Sequence, residues 1–141
     1  MKTNVVLKSL LVVLVIGLVG FLTSCSSSSS KENSVKIVSI SPDINTPLQA
    51  GSSVEISVDV EYSLKQNSGE ITLVLQQGDA TPTISLGNVV KPIKKGSGKL
   101  TLKANITIPK TDSIQVFTPL SIPGESKTTI ADMRVLKVVG N

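Results

Sequence analysis

Two stretches of this chain alternate strictly between apolar and polar residues. They are Val54-Glu55-Ile56-Ser57-Val58-Asp59-Val60-Glu61-Tyr62 and Leu100-Thr101-Leu102-Lys103-Ala104-Asn105-Ile106-Thr107-Ile108. A period of two puts every second side chain on the same face of an extended strand, whereas a helix would scatter those residues around its axis. Both stretches are therefore predicted strands with one buried face. Ile71-Thr72-Leu73-Val74-Leu75 is a shorter third, and 35–41, 83–90, 113–119 and 129–138 are weaker candidates. The β-branched Val135, Val138 and Val139 turn the last of these toward strand rather than helix.

Turn chemistry separates the runs. Pro42-Asp43, Asn67-Ser68-Gly69, Gly78-Asp79, Gly96-Ser97-Gly98, Pro109-Lys110-Thr111-Asp112 and Pro123-Gly124 all fall between apolar segments. About seven short strands without helices predict an all-β, antiparallel β-sandwich over 35–141. Strand number and spacing resemble the immunoglobulin-like domains of bacterial surface proteins. The chain carries no buried-tryptophan signature and no cysteine pair, and Tyr62 ends the second strand rather than marking a corner near the sixth. The resemblance implies that the second and fifth strands are neighbours in one sheet. Glu55, Asp59 and Glu61 would then face Lys99 and Lys103 across a solvated surface.

The first 34 residues have a different character. Lys2 and Lys8 mark a charged start, and 10–22 is apolar apart from two glycines. That run has the length of a signal-peptide core and falls short of the roughly 20 residues needed to span a bilayer. It ends in Leu22-Thr23-Ser24-Cys25, which resembles the lipobox of bacterial lipoproteins. The resemblance implies a signal peptide over 1–24, cleavage between Ser24 and Cys25, and a diacylglycerol thioether, with palmitate-type chains, on Cys25. The lone cysteine cannot form an internal disulfide, and lipidation would account for a single thiol in an exported chain. The serines of 26–30 and the polar residues up to Ser34 read as a flexible tether. Its ten residues, 25–34, reach at most about 35 Å when extended. The expected location is extracytoplasmic, lipid-anchored to the cell membrane or the outer membrane.

Composition narrows function mainly by exclusion. The 14 basic and 10 acidic residues, less Lys2 and Lys8 of the leader, leave a mature charge of about +2. That is too mild for a nucleic-acid binder, and no nucleic-acid motif accompanies it. The chain has no histidine, the commonest general base and transition-metal ligand, and its cysteine is assigned to the anchor. No phosphate loop, nucleophile elbow or zinc-ligand spacing occurs. No enzymatic activity, cofactor or metal is expected. Asp43, Asp79, Asp112 and Asp132 lie in or near expected turns, but such residues are ordinary turn formers and the spacing is not that of a calcium loop.

Lys91, Lys94, Lys95 and Lys99 form a run without an acidic residue, which reads either as a patch for anionic surfaces or as a solvated hairpin. Two functions from different classes remain. One is a protein-interaction or envelope structural module that docks on an envelope protein through a strand edge, at 35–41 or the last strand, or through an exposed patch around Val116, Phe117 and Leu120. The other is a lipoprotein that binds a peptide, glycan or lipid, for which an apolar cavity above about 300 Å³ would be the sign.

Overall fold

The computed structural model describes residues 32–126 and 130–140. Its elements are β1 (Ser34–Ser41), β2 (Leu48–Gln49), β3 (Ser53–Gln77), β4 (Ser85–Thr107), β5 (Ser113–Ser121) and β6 (Ile130–Val139). The chain is all-β and folds as an open sandwich, as the alternation requires. Two elements are longer than expected: β3 has 25 residues and β4 has 23. A straight strand of 25 residues would run about 80 Å, more than twice the width of a domain of this size. It has to bend.

The bend lies where the sequence suggests turns. Register along β3 and β4 runs without a break from Ser53↔Thr107 to Leu64↔Gly96, then jumps to Ser68↔Lys94. Three residues of β3, Lys65 to Asn67, therefore stand opposite Lys95 alone, which is a bulge that coils the ribbon over itself. Gly96 sits there with φ of 121°, a conformation open to glycine and costly for other residues. Asn67-Ser68-Gly69 and Gly96-Ser97-Gly98 are thus not hairpin turns. They are the points at which one long ribbon passes from the first layer of the sandwich to the second, so seven apolar runs fall into fewer, longer strands.

The first layer contains β1, the N-terminal half of β3 and the C-terminal half of β4; the second contains the other halves with β5 and β6. The second and fifth apolar runs are neighbours, as the immunoglobulin-like reading places them. The two-residue β2, not expected from sequence, pairs in parallel with the end of β6 through Leu48↔Val138. Between the layers lie Ile37, Ile56, Val58 and Val60 from one side and Ile71, Leu73, Leu75, Val116 and Leu136 from the other, all 3% exposed or less. Each fully buried aliphatic side chain contributes about 1.5–3 kcal/mol relative to exposure. Gly98 opposite Tyr62 is a packing device: a Cβ there would lie 2.8 Å from the Tyr62 hydroxyl, so the missing side chain makes room for the ring.

Candidate functional site

The outer faces of the two layers differ sharply, because the residues of opposite parity to the core differ. On the first layer they are polar apart from Val38, which the bulge in β1 leaves 53% exposed. Lys99 pairs with Glu61 at 2.6 Å and Lys103 with Glu55 at 2.9 Å. Asp59 takes no lysine. It accepts hydrogen bonds from the hydroxyls of Ser39 at 2.6 Å and Thr101 at 2.5 Å, which hold its pKa below the ordinary carboxylate value. The cross-strand charge pairing expected of these residues is present for Glu55 and Glu61.

The outer face of the second layer carries an apolar band instead. Register aligns Val74, Phe117 and Met133 across β3, β5 and β6, with Pro119↔Ala131 on one side and Gln115↔Val135 on the other. Met133 is 45% exposed and Val135 48%, while Val74, Phe117 and Pro119 are half-buried by their neighbours. Val90 of β4, opposite Thr72, extends the band and is also 48% exposed. Charges stand only at the margins of this face, with Glu70 toward the bend and Lys137 toward the opposite end. Exposed apolar side chains gathered in this way mark contact surfaces, whereas single ones do not.

The patch expected around Val116, Phe117 and Leu120 is corrected by this geometry. Successive residues of a strand point to opposite faces, so the three cannot share a surface. Val116 and Leu120 are 0% and 2% exposed and belong to the core; Phe117 points outward and meets Met133 and Val74.

The expected strand edges also behave differently. β1 pairs with β3 on one side only, but the backbone of Ile37 on its other side is occupied by β6. Ile37 N–H donates to Asp132 Oδ2 at 2.8 Å, and Arg134 donates to the Ile37 carbonyl at 3.2 Å and to Asp132 Oδ1 at 2.8 Å. The two side chains stand in for a missing strand, at the point where a bulge puts Val38 out of register. Partial burial raises the pKa of Asp132, but bonds from the N–H groups of Ile37 and Met133 and from Arg134 outweigh it, and the net shift is downward. Asp132 therefore lies within a strand rather than near a turn. The last strand is covered at its end by β2.

The lysine run divides. Lys99 is held by Glu61, and Lys91 donates to the Thr101 carbonyl at 2.9 Å. Lys94 and Lys95 are exposed at the bend. Among the described residues no group of three or more acidic, histidine or cysteine side chains is placed to hold a metal. A hollow of about 500 Å³ lies over Ser34, Lys36, Glu61, Ser63, Ser97 and Lys99. Most of the side chains around it are polar or charged, but the surface that they and Tyr62 turn toward it is mainly apolar carbon, and the hollow is open to solvent rather than enclosed. Ser24 and Cys25, with the rest of the expected signal peptide and most of the expected tether, lie outside the described residues.

No protein-family model and no curated protein matches the chain. Among solved structures it is similar to a beta-glucuronidase from glycoside hydrolase family 2, with 18% identity, a TM-score of 0.47, and coverage of 74% of this chain but 11% of that one. A beta-glucosidase from Listeria innocua in complex with isofagomine gives 16% identity, a TM-score of 0.48, and coverage of 77% and 16%. Spo0M, a sporulation control protein from Bacillus subtilis, gives 12% identity, a TM-score of 0.45, and coverage of 77% and 50%. The matched region is thus a small part of each glycosidase chain and half of the Bacillus protein.

Proposed function

We propose that this is a lipid-anchored, extracytoplasmic and non-catalytic lipoprotein that docks on another protein of the cell envelope. The observation that carries the docking role is the asymmetry of the two outer faces. One is covered with ion pairs and hydroxyls, and the other presents Val74, Phe117, Met133 and Val135 with charges only at its margins. A partner surface of matching chemistry is apolar at its centre and polar at its rim. The anchor is supported by Leu22-Thr23-Ser24-Cys25 at the end of an apolar leader, and the non-catalytic role by a chain without histidine.

Crosslinking in intact cells, followed by recovery of the tagged chain from membranes, tests the docking role. One dominant envelope protein is expected, and Phe117→Asp with Met133→Asp should reduce its recovery by at least about tenfold, since buried apolar anchors dominate interface energies. Undiminished recovery from that variant, with the fold intact by circular dichroism, would place the contact elsewhere.

The anchor has its own test. Cys25→Ala is expected to abolish labelling with palmitate and leave the precursor at its unprocessed mass. Normal maturation and labelling of that variant would refute the lipobox assignment.

A further inference from the structure

The tether and the unpaired lysines meet at one end of the sandwich. Asn33, just before β1, accepts a hydrogen bond from the Lys65 N–H at 2.8 Å, so the chain enters against the bend of the long ribbon. Lys65 lies in the bulge of β3, with Lys95 opposite it and Lys94 at its border. Lys36, two residues into β1, stands opposite Glu61. All four lysines are exposed, and none forms an ion pair among the described residues.

The two ends of the sandwich differ in sign. Asp43, Asp79 and Asp112 lie in the connections at the end away from the tether, with Lys110. At the tether end Glu61 is engaged by Lys99. Glu32, Glu70 and Glu125 also lie at this end, on three separate segments. Neither segment of the bend, Lys65-Gln66-Asn67-Ser68 or Ile93-Lys94-Lys95-Gly96, contains an acidic residue. Positive charge is therefore most concentrated at the bend, where three lysines meet. Charges this close act on a surface together, within the roughly 10 Å over which salt at 0.1 M screens them.

We propose that this end of the sandwich rests on an anionic phospholipid surface, with Lys65, Lys94 and Lys95 among the headgroups. The placement rests on the anchoring reading, because a spacer of nine residues, 25–33, reaches at most about 30 Å and keeps this end nearest the bilayer. The strands then stand roughly along the membrane normal. The apolar face of the second layer is turned sideways, toward neighbouring envelope proteins rather than toward lipid.

Vesicle partitioning of the chain from Ser26 onward, which holds every described strand and no acyl chain, tests this apart from the anchor. The probe is a vesicle of 30% phosphatidylglycerol in phosphatidylcholine, at low salt, compared with phosphatidylcholine alone. Binding to the anionic vesicles is expected, and Lys65→Ala with Lys94→Ala and Lys95→Ala should weaken it roughly a hundredfold, at about fivefold per lysine. Changing Lys103, Lys110 and Lys137 to Ala instead should alter it by about twofold or less. Equal binding to both vesicles, equal losses from the two triple variants, or binding to a soluble polyanionic wall polymer without binding to vesicles would each overturn the proposal. Should palmitate labelling at Cys25 fail while vesicle binding depends on the three lysines, the anchor falls and this surface stands.

Discussion

Leu75→Ala is expected to lower the unfolding free energy by about 2–5 kcal/mol, and Val135→Ala by about 0.5 kcal/mol or less. Both residues lie in the second layer, but on opposite sides of it. Leu75 is fully buried between the layers and stands opposite Gly87 on one neighbour and Val116 on the other. Removing its isobutyl group loses transfer free energy and leaves a cavity, because Gly87 has no side chain to move into the space. Val135 is 48% exposed, and its truncation removes little that water does not already reach. A domain of this size has a total stability of about 5–15 kcal/mol, so the first change moves the denaturation midpoint strongly and the second scarcely at all. Urea titration of the two variants reads the difference directly. Equal effects would mean that the band on the outer face is covered in the isolated protein and is not a free docking surface.

The same alternation explains how much of the architecture can be read from the chain. In 54–62 and 100–108 the core face is unambiguous, because each apolar residue is followed by a polar one. The pairing of Lys99 with Glu61 and of Lys103 with Glu55 follows once the two runs are neighbours. The bend is another matter. Glycine, asparagine and serine show where a strand departs from regular geometry, but they do not distinguish a reversal from a bulge in a continuous ribbon. At 67–69 and 96–98 the two departures lie at the same bend of the paired ribbon, and it turns there without separating. That depends on pairing between residues about 30 positions apart, which local composition does not contain.

The outer face is less legible for a related reason. In Ser113-Ile114-Gln115-Val116-Phe117-Thr118-Pro119-Leu120-Ser121 both parities contain apolar side chains, so the strand alone does not say which points inward. Thr118 is even fully buried, with its hydroxyl directed at the Asp132 carbonyl at 3.4 Å, while Phe117 is not. The band exists only after β3, β5 and β6 are set in register, because each strand contributes one or two members. The sequence carries one signal of it, Met133 and Val135 in a run whose other parity is occupied by Leu136 and Val138. The clip on β1 was legible in neither strand alone: Asp132 and Arg134 become partners of Ile37 across about 95 residues.

That clip makes a second large effect. Asp132→Ala is expected to cost about 2–3 kcal/mol, since hydrogen bonds to a charged group contribute about 1.5–3 kcal/mol and the change leaves the Ile37 N–H without its acceptor and Arg134 with only the Met133 and Ile37 carbonyls. Asp132 and Arg134 side chains are 23% and 34% exposed, which leaves the pair partly screened and keeps the figure below that of a fully buried ion pair. The sign of the pH dependence follows from the depressed pKa of Asp132. Its contribution is fully present above the unfolded-state value of about 4 and is lost as pH falls through the lower, folded-state value. Unfolding measured from pH 7 down to pH 2 should therefore show a loss in the native protein that is smaller in Asp132→Ala. Hydrogen exchange at Ile37 supplies the local readout. If the clip holds the first strand against the second layer, exchange there accelerates in the variant while the amides of β3, which has β4 on one side and β1 or β5 on the other, stay protected. Uniform acceleration would mean that β1 opens only with the whole domain. Under the proposed N-terminal anchor that distinction would have a mechanical meaning, because β1 would be the strand on which a pull from the anchor first acts. Asp132 and Arg134 would then fix the strand that joins the sandwich to its tether.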